Sequence, residues 1–221
     1  MSPAASEAAG TTRPDTVLSN ETTHTTWALA NFAGAIRSRP ARHAPEIRKL
    51  QFFTPDGFQQ SYILLRQHWV GSQSWVKVRI PMRPNGRVGW VLRRALGHYH
   101  VTHLELVVDR SERRLTLYRK GTVVYRAPVG VGKPKTPTPP GHFWITEAFP
   151  SSDPFYGPYA FGTSDYSTLT EWPGGGIVGL HGTNEPQLVP GDPSHGCIRL
   201  HNKDILALSH IVRIGTPLLI K

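Results

Sequence analysis

Residues 194–200 read Ser-His-Gly-Cys-Ile-Arg-Leu, and Cys197 is the only cysteine of the chain. His195 stands two positions before it and Arg199 two after. A second His-Gly pair, His181-Gly182, begins 16 positions upstream of the cysteine. A thiol attacks a carbonyl carbon as the thiolate, so it needs a base or cation close by and a donor for the oxyanion that forms. His181 and His195 are the candidate bases. Arg199, sharing a face with Cys197 on extended backbone, could hold a substrate carboxylate through paired N–H groups. Gly196 removes bulk beside the thiol and lets backbone N–H groups approach a substrate oxygen. Gly182 does the same beside His181 and leaves its carbonyl free to orient the imidazole. Plainer roles exist for the same residues: a lone cysteine is often a small buried hydrophobe, and a histidine often a surface or hydrogen-bonded core residue. One Cys with histidines at irregular spacing is a weak zinc pattern, so no metal is assigned. His98, His100 and His103 form a separate group, read as part of a solvated linker.

The elements that must position these residues are short and strand-like. Leu104–Asp109, Leu115–Tyr118 and Thr122–Arg126 read as consecutive antiparallel strands, with Gly121 turning between the last two. Four prolines between Pro134 and Pro140 stiffen a loop. Phe143–Ile145 is a further strand, and Ile177–Leu180 is a short strand that delivers His181. Residues 150–176 carry Pro, Gly and aromatics without a period, which predicts a long irregular loop over a site, with Tyr156, Tyr159 and Trp172 as candidate walls. Asn202 is placed to cap a helix over roughly 203–211, and Leu218–Lys221 closes the chain as a strand.

Further upstream, 46–97 reads as a separate β-module, with strands at Ser61–Leu65, Ser74–Ile80 and Val88–Val91 and a turn at Asn85-Gly86. Residues 1–45, rich in Ser, Thr, Ala and Pro, read as a flexible leader or linker, with room for one short helix between Thr26 and Arg37. Hydrophobic residues make up 38% of the chain, with 21 Gly and 20 Pro, which suits a turn-rich, all-β core and excludes wholesale disorder. The 25 Lys and Arg against 15 Asp and Glu give a formal charge of +10. Such a chain is drawn to polyanions. No nucleic-acid motif accompanies the charge, so nucleic acid is not an expected partner. The apolar stretch 27–36 is too short to span a bilayer. Met1 is followed by small polar residues with no apolar export core, which leaves both a cytoplasmic protein and one exported with its signal removed open.

Taken together, His181-Gly182-Thr183 and Ser194-His195-Gly196-Cys197-Ile198-Arg199-Leu200 resemble the signature of the L,D-transpeptidase catalytic domain. Val107-Val108-Asp109 through Leu117-Tyr118, Pro128–Gly132, Thr138-Pro139-Pro140-Gly141-His142-Phe143 and Gly215–Leu218 are similar to other segments of that family. The resemblance covers about 102–221. The stretch from Trp75 to Val91 resembles bacterial SH3-like modules. These resemblances imply a β-sandwich catalytic domain over 98–221 with one or two short helices, preceded by a small SH3-like barrel over 46–97. They imply Cys197 as nucleophile and His181 as general base and acid, oriented by the Gly182 carbonyl. They imply an oxyanion site shaped by His195, Gly196 and Cys197, with Ser194 and Arg199 bracing the loop or touching substrate. The implied substrates are peptidoglycan stem peptides, joined through third-position diamino acids with release of D-alanine. No cofactor is implied, carbapenems are the expected inhibitors, and anionic wall polymers are possible partners outside the cytoplasm. A carboxypeptidase using water as acceptor and a non-catalytic wall-binding protein are the alternatives.

Overall fold

The structure is a computed structural model that describes residues 13–171 and 175–221. Its first part contains β1 (Thr16–Val17), β2 (Thr25–Leu29), β3 (Ala35–Arg37), β4 (Glu46–Lys49), β5 (Ser61–Val70), β6 (Gln73–Arg79), β7 (Val88–Leu92) and β8 (His100–Thr102). They form one eight-stranded sheet in the order β4-β3-β7-β6-β5-β2-β8, with β1 on β5. Period-two burial along β6 and β7 puts Val76, Val78 and Val91 into a core with Ile36, Tyr62 and Leu64.

This sheet corrects the expected boundaries. Described residues before 46 are not a uniform leader, because β1, β2 and β3 belong to the sheet, and the expected Thr26–Arg37 helix is two strands. Thr and Ala carry little apolar period, so the signal was weak. What holds these strands is pairing and side-chain bonding: Ala28 pairs Tyr62, and the Thr26 hydroxyl donates to the Leu18 carbonyl at 2.6 Å. The group His98–His103 is likewise no free linker, since His100 lies in β8 and stacks on Trp27 at 4.3 Å. The ladder runs as an open path from Thr16 to Thr102 in place of the small barrel expected over 46–97.

The second part contains β9 (Leu104–Asp109), β10 (Arg114–Arg119), β11 (Thr122–Pro128), β12 (Gly130–Gly132), β13 (Gly141–Trp144), β14 (Phe149–Pro150), β15 (Tyr159–Tyr166), β16 (Ile177–His181), β17 (Gly191–Ser194), β18 (Ile198–Arg199), α1 (Asn202–Ser209) and β19 (Pro217–Ile220). A five-stranded sheet, β11-β10-β9-β19-β13, and a six-stranded sheet, β14-β15-β16-β18-β12-β17, enclose one core. Leu106, Leu117, Phe161, Leu180 and Ile198 are fully buried in it, and Ile205 and Leu208 of α1 join them. The fold is therefore strand-rich, a sandwich with one α-helix among the described residues. The expected loop over 150–176 is interrupted by β15, eight residues long, whose residues 160–165 are buried on both faces and so show no alternation.

The two parts meet over β13 and β15. Trp144 Nε1–H donates to the Ser61 hydroxyl at 3.0 Å, with both residues buried. Phe58 stacks on Phe149 at 5.3 Å. Asn85, at the tip of the β6–β7 hairpin, donates to Asp165 Oδ1 at 2.6 Å and accepts from the Tyr166 N–H at 3.1 Å. Asp165 is fully buried, and its Oδ2 has no hydrogen-bond partner among the described residues. Burial pushes its pKa up to about 8, with the Asn85 hydrogen bond opposing. The unfolded chain releases this proton near pH 4 and the folded chain near pH 8, so folding loses stability as pH rises between the two. Asp165→Asn removes that linkage. Melting curves are expected to show the variant gaining on the wild type by about 1 kcal/mol or more between pH 5 and pH 8; a pH-independent difference would contradict the assignment.

Candidate active site

Parallel pairing of β16 with β18 sets the site. The register Leu180–Ile198 and His181–Arg199 brings Gly179 alongside Cys197. With a period of two, His181, Cys197 and Arg199 then share one face. The Gly179 N–H reaches Cys197 Sγ at 3.5 Å. Cys197 and His181 together line two cavities. One is a narrow cleft with Phe155, Ser194, His195 and Arg199. The other, of about 220 Å³, runs past Tyr156 and Phe149 to Glu147 and Asp56.

His181 is 1% exposed. Its Nδ1–H donates to the Gly182 carbonyl at 2.6 Å, while Nε2 is buried with no hydrogen-bond partner among the described residues. Burial pushes the imidazole pKa down to about 4, against the Gly182 carbonyl, which favours the charged ring. The ring is thus neutral at pH 7, and Nε2 carries a lone pair. Tyr156 meets the ring edge-on at 5.0 Å and Phe155 stacks on it at 5.8 Å. Gly182 has to be glycine: a Cβ there would collide with Asn202 Oδ1 and meet Gly157 Cα and Pro158 Cδ at 3.1 Å. Asn202 Oδ1 accepts from the Thr183 N–H at 2.8 Å and so locks the strand end that carries the imidazole. This corrects its expected capping role, since α1 starts at Asn202 and the flanking residue is His201.

The cysteine loop is braced from inside. Ser194 Oγ donates to the Cys197 carbonyl at 2.6 Å and accepts from the Gly196 N–H at 3.1 Å. Ser194 is therefore a loop brace, and the Gly196 N–H expected at the oxyanion site is already engaged. Gly196 has φ +130°, a conformation that favours glycine. His195 and Gly196 sit between β17 and β18, so His195 and Cys197 do not share one continuous strand. His195 is exposed, yet it lines the cleft with the thiol. Thr138, within the segment singled out for its prolines, donates to the Gly196 carbonyl at 2.8 Å and accepts from the Gly132 N–H at 2.9 Å. Arg199 is nearly buried: its Nη1 donates to Glu185 Oε2 at 2.7 Å, its guanidinium lies over Phe155 at 4.8 Å, and its Nε has no partner among the described residues.

Phe155, Thr138, Asn202 and Glu147 carried no signal as site residues in one sequence, because their roles depend on what the fold places opposite them. Arg83 is a further case. From the β6–β7 hairpin its Nη2 donates to the carbonyls of Ser167, Leu169 and Gly175, on the rim of the narrow cleft. Of the candidate walls, Tyr156 is one, Tyr159 packs on Phe161 at 5.1 Å, and Trp172 lies outside the described residues.

Residues 104–220 match the family model of the YkuD L,D-transpeptidase catalytic domain. That is more than half of the chain, and the chain belongs to this family. It is 36% identical over 111 residues to YkuD of Bacillus licheniformis, a protein assigned to the L,D-transpeptidases, covering 50% of this chain and 61% of that protein. It is 34% identical over 118 residues to YkuD of Bacillus subtilis, covering 53% and 63%. The matched part of the chain thus spans about three-fifths of the length of these relatives. Among solved structures it is similar to the catalytic domain of the E. faecium L,D-transpeptidase, with 25% identity, a TM-score of 0.41, and 53% of this chain and 96% of that one covered.

Burial raises the Cys197 pKa above the ordinary thiol value, with the Gly179 N–H and Arg199 opposing. The resting pair is a neutral thiol beside a neutral imidazole. Iodoacetamide labelling of Cys197 is expected to stay slow at pH 7 and to rise only at a pH higher than an ordinary thiol requires. A midpoint below 7 would show a preformed thiolate–imidazolium pair and contradict this geometry.

Proposed function

We propose that this protein is a peptidoglycan L,D-transpeptidase that joins the third-position diamino acids of two stem peptides through a thioester on Cys197. The observation that carries the reading is the buried, unpartnered Nε2 of His181, held by the Gly182 carbonyl in a cleft shared with the thiol. The carbonyl before the terminal D-alanine of a tetrapeptide stem enters the narrow cleft. The unpartnered Arg199 Nε–H is suited to its terminal carboxylate. His181 Nε2 takes the Cys197 proton as the C–S bond forms, then gives it to the departing D-alanine nitrogen as the C–N bond breaks. The neutral side-chain amine of a second stem attacks the thioester. His181 takes its proton and returns it to Sγ as the C–S bond breaks, so the enzyme ends as it began. The Gly182 carbonyl supports the imidazole in each step, in the place an acidic residue takes in a Ser-His-Asp triad. No step calls for a metal or cofactor. Cross-linking of assembled wall implies an extracytoplasmic protein, and the +10 charge suits anionic wall polymers there.

Mass spectrometry of the protein incubated with tetrapeptide stems tests the reading. Free D-alanine, a stem dimer and an acyl adduct on Cys197 are expected, and a carbapenem should form a stable adduct at the same residue. Cys197→Ala should lower dimer formation at least about a thousandfold. Cross-linking by that variant, or no adduct on the wild type with either reagent, would overturn it.

A further inference from the structure

The N-terminal sheet carries two adjoining cavities, of about 370 Å³ and 340 Å³, that share Arg42 and Leu92. They lie away from the thiol. Trp75 and Leu92, in their walls, are paired at one end of the β6–β7 ladder, and Arg83, at the rim of the narrow cleft, sits in the hairpin at the other. The strand between, Trp75 to Arg79, alone spans about 13 Å. Arg37, Arg42, His43, Arg93 and Arg94 line the two cavities, and no Asp or Glu does. None of these basic groups forms an ion pair among the described residues. Glu46, opposite Arg37 in the β3–β4 register, is no exception.

Three of the guanidinium groups are held in place without being neutralised. Arg37 Nη1 donates to the Ala44 carbonyl at 2.8 Å, Arg42 Nε to Gln73 Oε1 at 3.1 Å, and Arg93 Nη1 to the Leu96 carbonyl at 2.9 Å. Each of these bonds uses one N–H of the fork and leaves the others to a ligand. The walls between them are aromatic: Phe32 is 41% exposed, and Trp75 is buried with an Nε1–H that has no acceptor among the described residues. Unpaired like charges gathered on one face repel one another, and a bound polyanion removes that cost. Guanidinium forks match phosphate oxygens. Four of them along two connected cavities call for several closely spaced negative charges on one chain. The aromatic walls suit the C–H faces of sugar or polyol units between those charges.

We propose that this groove anchors a wall polymer of polyol or sugar units joined by phosphodiesters, with Arg42 at its centre. Holding the wall at a second point raises the local concentration of stems at the catalytic cleft. The inference rests on the wall-acting reading above only for where such a polymer is met.

Calorimetry on Cys197→Ala with three probes of equal charge tests it: a glycerol phosphate oligomer, an oligouronate and a single-stranded oligonucleotide. The glycerol phosphate oligomer should bind about tenfold more tightly than either other probe, and about tenfold more weakly when salt is raised fourfold. Adding Arg42→Gln should weaken its binding about tenfold, and adding Arg94→Gln as well about a hundredfold. Both side chains are exposed, so melting curves should stay at the parent value. In the presence of Cys197, dimer formation from soluble stems should be unchanged by either substitution. Equal binding by folded variants, or binding of the oligouronate or oligonucleotide as tight as that of the glycerol phosphate oligomer, would overturn the anchor. Polymer binding by a protein that releases no D-alanine would leave the anchor standing and remove the transferase reading.

Discussion

One hydrogen bond underlies the rest of the site: His181 Nδ1–H to the carbonyl of its own neighbour, Gly182, at 2.6 Å. It selects the tautomer with the proton on Nδ1 and so leaves Nε2 as an acceptor beside the thiol. No acidic residue does this work, so the imidazole stays neutral in a buried place where an imidazolium would be expensive. The carbonyl can serve only because the chain turns tightly after β16, which requires Gly182 against Asn202 and Gly157. Asn202 starts α1, and the packing of α1 on the sandwich core through Ile205 and Leu208 thereby fixes the ring.

The thiol is placed by a separate mechanism. β18 is two residues long and would not stand alone; β16 and β12 on its two sides, with Ser194 and Thr138 bonded into the preceding turn, hold it. His181 thus ends β16 and Cys197 directly precedes its parallel neighbour β18, so the hydrogen-bond ladder sets the spacing of imidazole and thiol. The N-terminal sheet adds to this through the β6–β7 hairpin, where Arg83 binds three carbonyls at the cleft rim, and through the turn at Asp56. It is part of the site's walls as well as a neighbour.

What the sequence revealed follows a physical pattern. The strands β9, β10 and β11 were readable because one face is buried and apolar residues alternate. Cys197, His181 and the Gly182 carbonyl stood out in the sequence through the resemblance carried by His181-Gly182-Thr183 and Ser194–Leu200, and the structure brings them to one cleft. The strands before residue 46 were not readable, since their residues become strands only through pairing, β1 and β2 with β5 and β8, and β3 with β4 and β7. Strand β15 was hidden because burial on both faces erases the period. Thr138, Asn202, Arg83 and Glu147 were invisible as site residues because each acts across 19 to 92 positions of sequence or lies in a cavity that exists only after folding.

The central claim is that His181 is neutral at physiological pH with its proton on Nδ1. Nitrogen-15 NMR of the imidazole in the resting protein measures this directly. Between pH 6 and 8 the account predicts one pH-independent pair of shifts, with Nδ1 protonated and Nε2 bare, and protonation only near pH 4. An Nε2–H tautomer, or an imidazolium that persists at pH 7, would contradict it.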